Sequence, residues 1–301
     1  MRNSFISRLE ILAEKDKRIV FLTGDLGFSV VESFQEKFPD RFFNVGIAEQ
    51  NMAGIATGLA EAGMIPFIYS IAPFSLVRPF EFIKNGAVLH DLPIRVVAIG
   101  AGFEYGNLGF SHFLLEDIAL TRIYSNLHCY APVNNLVANS VLDSTYEVDN
   151  PVYYRISKNM LNLSNEMITD YKGDSIVSFQ GGVLNNVCIF AYGEMAEEAL
   201  KAKCEDDVFD LYSVVNYNPV PTNEIVEIIS QYRAVVTLES HYINNGIGSL
   251  IAEIIAEHSL ECKLKRMGIR RTSFKLLGNT DFMYKSNDID KSSILKLVRR
   301  C

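Results

Sequence analysis

Nine consecutive residues, Asn44-Val45-Gly46-Ile47-Ala48-Glu49-Gln50-Asn51-Met52, set one carboxylate at the entrance of a helix built largely from small side chains. A carboxyl in that place can position a proton for a bound molecule, which is general acid–base work. Glu49 falls in the first turn, where the helix dipole favours negative charge; without its neighbours it reads as a solvated first-turn residue. Other groups with chemical capacity stand along the first half of the chain. Asp25 and Ser29 follow a short apolar run, where an open α/β sheet puts its functional loops, although Asp and Ser also serve there as turn and cap residues. Phe74 offers an aromatic face suited to a flat heterocycle, against an ordinary core position for one of 19 Phe. His112 closes a glycine-rich turn and can act as donor and acid near neutral pH.

The elements that must position these groups follow from hydrophobic patterning. Met52, Ile55 and Leu59 lie three and four residues apart and share one helical face. Ala53, Gly54, Ala56, Gly58 and Ala60 leave room for another backbone to approach. A Gly inside a helix costs about 1 kcal/mol relative to Ala, so two of them imply close packing that offsets the loss. Gly63 reads as the helix stop. Residues 4–15 read as an amphipathic helix, and 18–23 as a short apolar run of the buried parallel-strand kind. Further strands are expected at 42–45, 65–70, 94–99, 127–132 and 151–156, with helices over 79–90, 114–122 and 134–145. Pro79 suits the first position of its helix. Residues 160–185 are polar and lack periodicity, a linker with room for a small hairpin. A second α/β unit follows, with strands over 187–193, 208–214 and 234–241 and helices over 194–203 and 222–231, the latter capped by Thr222. A Gly-rich turn at 244–249 then leads into a long helix. The expected architecture is α/β with two doubly wound domains, residues 1–163 and a smaller 186–301, joined by 164–185.

Composition excludes other classes. The 301 residues are 49% hydrophobic and 21% charged, with a net charge of −8, which argues against nucleic acid or an anionic membrane as the main partner. No basic segment precedes an apolar run, and no stretch of 18 apolar residues occurs, so neither a secretory signal nor a transmembrane span is expected. Cys129, Cys188, Cys204, Cys262 and Cys301 are scattered, with no CxxC or Cys/His metal spacing. They read as reduced thiols of a cytoplasmic protein.

The run from Asn44 to Met52 closely resembles the pyrimidine-binding segment of the transketolase family. Asp25-Leu26-Gly27-Phe28-Ser29 is similar to that family's Asp-Leu-x-x-Ser loop beside the thiazolium ring. Phe74 stands where the family's aromatic stacks on the aminopyrimidine, and Gly109-Phe110-Ser111-His112 is similar to its Gly-Pro-Thr-His turn. The resemblance implies that Glu49 contacts N1′ of the aminopyrimidine of thiamine diphosphate and favours its imino tautomer. It further implies that Asp25, Leu26 and Phe74 line the cofactor, and that Ser29, His112, Arg155 and Lys158 face a sugar substrate. Arg78 either reaches the substrate or pairs across a subunit interface. Glu239 and His241 match a Glu-x-His of the family's third domain, which mainly supports assembly, so they are expected to be structural.

Two departures bear on the substrate. Leu108 stands where transketolases carry an Asp that reads sugar hydroxyls, and Lys158 where an Arg grips the sugar phosphate. Lys158 is a point charge without the guanidinium fork; Arg155 offers a second cation nearby. The metal-binding Gly-Asp-Gly segment is absent from these 301 residues: Gly24-Asp25 continues with Leu26, and Asn244-Asn245 has no such segment before it. The resemblance therefore implies a separate chain that supplies the diphosphate and Mg²⁺ site, in an α2β2 assembly, with no metal held by this chain. The expected activity is transfer of a two-carbon ketol unit from a ketose donor to an aldose acceptor. Deoxyxylulose-phosphate-synthase-like or 2-oxo-acid dehydrogenase E1β-like chemistry is one alternative, and a non-catalytic scaffold subunit is another.

Overall fold

The computed structural model describes residues 1–27, 30–159, 167–172, 175–179, 185–270 and 274–301. They divide into two compact units, Met1–Ala101 with Tyr124–Met160, and Gly102–Ile123 with Leu161–Cys301.

The first unit is built on parallel strands: β1 (Ile19–Thr23), β2 (Phe42–Asn44), β3 (Ile65–Ile71), β4 (Arg95–Ile99), β5 (His128–Tyr130) and β6 (Val152–Ile156). They hydrogen-bond in the order β5-β6-β4-β3-β1-β2, every pair parallel. β1, β4 and β6 are buried along their whole length, as strands covered on both faces must be. Thr23 is in register with Asn44 on one side and Tyr69 on the other. β1 and β2 thus end level and β3 runs two residues further, to Ile71, so the loops that follow them share one edge of the sheet. Helix Arg2–Lys15 buries Phe5, Ile6, Leu9 and Leu12, with Phe5 edge-on to Tyr154 at 5.3 Å between ring centres.

The second unit carries β7 (Ile168–Lys172), β8 (Ile176–Phe179), β9 (Val187–Tyr192), β10 (Asp210–Val214), β11 (Asn216–Asn218), β12 (Ala234–Tyr242) and β13 (Lys263–Ile269). Its sheet runs β13-β12-β9-β10-β8-β7. The first four are parallel, and β8 and β7 add an antiparallel edge. The hairpin expected in the polar stretch is thus a structural part of this sheet.

Several expectations need correction. The helix expected over 79–90 is α-helical only at Phe80–Ile83 and continues as a π-helical turn at Lys84–Val88. Pro79 precedes its first residue. Helix Glu49–Glu61 approaches this turn closely: a side chain at Gly86 would overlap its Thr57 hydroxyl. Of 114–122 only Asp117–Thr121 is helical, because Leu114 pairs with Gly102 in an isolated bridge. Thr222 is the first residue of its helix, not its cap; Pro221 holds that position, without a side-chain bond.

Candidate functional site

The neighbouring ends of β1, β2 and β3 bring together most of the groups expected near a cofactor. Asn44, the last residue of β2, ties two loops to each other. Its Oδ1 accepts from the backbone N–H of Asp25 at 2.9 Å and of Gly46 at 3.0 Å, while its Nδ2 donates to Asp25 Oδ1 at 3.2 Å. Thr23 Oγ1 donates to the Leu26 carbonyl at 3.0 Å. Asp25 sits in the left-handed region with φ 57° and Gly46 with φ 74°. The second value suits a residue without Cβ, and that turn aims the chain into helix Glu49–Glu61.

Glu49 is the first residue of that helix and is 2% exposed. A carboxyl so enclosed requires a polar partner. Arg78 provides it: Nη1 donates to Glu49 Oε2 at 2.9 Å. The same guanidinium lies over the Phe74 ring, 4.1 Å from its centre. Phe74 is positioned by the short helix Ala72–Ser75, which leads out of β3. Gly24 forms the opposite wall; a Cβ there would lie 3.6 Å from Glu49 Oε1 and 3.3 Å from the Gly46 carbonyl. Arg78 itself remains 43% exposed, so the enclosed carboxyl is paired with a group that reaches solvent.

His112 belongs to the second unit. It ends a 3₁₀ turn, Phe110–His112, entered from Gly109 at φ 85°. Ser111 Oγ and His112 Nδ1 are 3.1 Å apart, and the Tyr105 ring is 6.3 Å away. The glycines before it allow close approach: a side chain at Gly102 would overlap Ser240 and Glu194, and one at Gly106 the Gly278 carbonyl. Phe103 packs edge-on against Phe113 and Phe274, fixing the base of the loop. The Tyr242 N–H donates to the Leu115 carbonyl at 2.7 Å.

Of the expected site residues, Asp25, Leu26, Glu49 and Phe74 converge in the first unit. Arg155 lies within β6 and is 2% exposed, whereas Lys158, beyond that strand, is half-buried. Ser29 lies outside the described residues. Sequence reading missed Arg78 as the partner of Glu49, since 29 residues separate them. It also missed the clamp made by Asn44, for which Asn-x-Gly is the available signal.

Glu239 and His241 form a different cluster. Glu239 Oε2 accepts from the Ile247 N–H at 2.8 Å and Oε1 from the Gly248 N–H at 3.0 Å. His241 lies 3.9 Å from Glu239 and 4.0 Å from Asp117, all three fully buried. Burial pushes the Glu239 carboxyl up to about 8, opposed by the two N–H donors. Among the described residues no group of three His, Cys, Asp or Glu is arranged to hold a metal ion, and no helix is long and apolar enough to cross a membrane.

Comparison with known proteins gives this geometry a lineage. Residues 1–164 match the model of the transketolase pyrimidine-binding domain, and residues 184–289 that of the transketolase C-terminal domain. A putative transketolase C-terminal section of Methanocaldococcus jannaschii is 34% identical over 309 residues, covering 99% of this chain and 95% of that protein. One subunit of the apulose-4-phosphate transketolase of Actinobacillus succinogenes is 31% identical, covering 89% of this chain and 87% of that subunit. Among solved structures, a split gene transketolase described as an inactive beta4 tetramer matches with a TM-score of 0.86 at 27% identity, over 99% of this chain and 97% of that one. The chain belongs to the transketolase family, of which it carries the pyrimidine-binding and C-terminal domains.

Proposed function

We propose that this chain is the pyrimidine-binding subunit of a split, thiamine-diphosphate-dependent transferase that moves a two-carbon ketol unit from a ketose donor to an aldose acceptor. The observation that carries the reading is the Glu49–Arg78–Phe74 arrangement. A flat, cationic guanidinium lies on an aromatic face and donates N–H to a buried carboxyl. An aminopyrimidine is likewise flat and carries a ring nitrogen suited to the same carboxyl, so the residues present fit that group. Thiamine diphosphate, when bound, supplies a nucleophilic thiazolium carbon that no side chain offers near neutral pH.

The chain's own residues do the rest. Glu49 would face the pyrimidine ring nitrogen with the Oε2 that Arg78 engages here, and position a proton between them. Phe74 would cover one face of the ring in place of the Arg78 guanidinium and exclude water. Asp25 and Leu26, pinned by Asn44 and Thr23, line the edge. Lys158 and His112 serve the substrate, as a cation for a sugar phosphate and as a donor to a sugar oxygen. Ser29 is assigned to the substrate by sequence alone.

A partner chain with a Gly-Asp-Gly segment completes the enzyme by holding the diphosphate and Mg²⁺, in an α2β2 complex of cytoplasmic carbohydrate metabolism. The outer face of helix Glu49–Glu61 supports this. Ala53, Ala56 and Ala60 are buried within the chain, but among the described residues nothing lies within 4 Å of a Cβ built on Gly54 or Gly58. Ile47 is 77% exposed and Leu89 69%. The similar split-gene chain described as an inactive tetramer also favours partner dependence.

The test is a ketol-transfer assay on the chain mixed with its Gly-Asp-Gly partner. Glu49→Ala should lower the rate by about 10²–10⁴-fold, the usual worth of a positioned acid or base. Full activity in that variant would overturn the assignment. Leu108, 56% exposed beside His112, keeps the deoxyxylulose-phosphate-synthase-like reading open, and pyruvate decarboxylation by the same mixture is its assay.

A further inference from the structure

A second binding site is written into the other unit. Arg266, Met267 and Gly268 at the carboxyl end of β13, Arg270 just beyond it, and Lys296 and Arg300 from the C-terminal helix Lys291–Val298 and its exit line one cavity of about 400 Å³. That volume falls within the range of small-molecule sites, and the carboxyl end of a parallel strand is where open α/β sheets bind ligands.

Charge makes the cavity distinctive. The chain as a whole carries −8. Four cations nevertheless line this one space, against the single carboxylate of Asp288. Among the described residues none of the four forms an ion pair, whereas Arg8, Arg18, Lys37, Arg122, Lys291 and Arg299 all do. Lys296 and Arg300 stand four apart, a spacing at which like charges repel. Arg266 is held in place, its Nη1 donating to the Ile243 carbonyl and to Ser249 Oγ, each at 3.2 Å. Arg270 Nη2 donates to the Arg266 carbonyl at 3.3 Å, which ties the second guanidinium to the β13 backbone. Ser293 and Asn287 add polar groups to the wall. Guanidinium forks match phosphate oxygens two at a time, and ammonium groups complete such sites as point charges.

We propose that this cavity binds a small molecule carrying two or more phosphate charges, in the unit that the family otherwise uses for assembly. The anion would relieve the repulsion among the four cations and join β13 to the C-terminal helix.

The experiment is calorimetric titration of the purified full chain with inorganic pyrophosphate, at ionic strength held constant with sodium chloride. The double variant Lys296→Ala/Arg300→Ala removes two exposed side chains and leaves the core intact. Saturable binding is expected in the wild type, weakened about tenfold or more in the double variant, as loss of charge-assisted hydrogen bonds requires. Glu49→Ala, in the other unit, should leave the affinity unchanged whether or not the proposed catalytic role of Glu49 holds. No saturable heat in the wild type, or an affinity the double variant does not alter, overturns the proposal.

Discussion

Two buried carboxyls, one in each unit, stand beside helix N-termini and meet different partners. Glu49 begins helix Glu49–Glu61, and its bond is to the half-exposed side chain of Arg78. Glu239, at the far end of β12, accepts from two backbone N–H groups at the start of helix Ile247–Glu257. A side chain at Gly246 would overlap its carboxyl, so its surroundings are closed by the chain itself. Burial therefore does not by itself distinguish the carboxyl proposed here to meet a cofactor. The partner does: a backbone donor fixed by secondary structure cannot give way to a ligand, and an exposed guanidinium can.

The sharpest way to break that contrast is to remove the enclosed carboxyl. Glu239→Ala orphans two buried N–H groups, each costing about 1–3 kcal/mol. Chemical denaturation should show a loss on the order of 3 kcal/mol, with activity per folded molecule retained once the partner is present. A stable Glu239→Ala protein that fails to turn over would assign Glu239 the role argued here for Glu49.

The next effect is in pH. The folded chain holds the Glu239 proton more tightly than the unfolded chain does, because burial raises this carboxyl from 4.5 to about 8. The resulting stabilisation is complete below about pH 4.5 and is lost as pH rises through about 8. The difference in unfolding free energy between wild type and Glu239→Gln should therefore shrink across that window and stay flat above it. The amide remains uncharged throughout and serves as reference. A difference that instead grows with pH would show the carboxyl to be stabilised in its charged form by Arg266 and the two N–H donors.

How far the sequence reaches follows the same divide. Continuous apolar runs announced β1, β4 and β6, since strands covered on both faces have few other compositions. Asn134 was legible as a helix start, and its side chain does accept from the Val137 N–H. The π-helical turn at Lys84–Val88 was not, and the close packing of its Gly86 against Thr57 is a contact between residues far apart in sequence. β13 went unassigned: its first residues alternate between exposed and half-buried, and five of its seven are Lys, Arg, Met or Gly rather than β-branched. In the site, the motif residues around Glu49 were visible as a contiguous run, whereas Arg78 reaches it through folding alone. Arg155 looked like a substrate cation by position, but its place inside β6 encloses it.

The smallest effect tests the open face that separates the two carboxyls. Gly54 lies inside helix Glu49–Glu61 and lines a depression of about 390 Å³ with Thr57, Glu81, Phe82, Asn85 and Gly86. A methyl group there meets nothing within 4 Å among the described residues. Gly54→Ala should thus raise the stability of the isolated subunit by up to about 1 kcal/mol, the difference in helix propensity. If a partner backbone packs on the same face, the added methyl overfills that contact and weakens association by about 1–3 kcal/mol. Thermal melting of the subunit and sedimentation of the mixture read the two signs separately. A variant that melts higher and still assembles fully would mean that the glycines on this face serve no interface, and that Glu49 is completed from another direction.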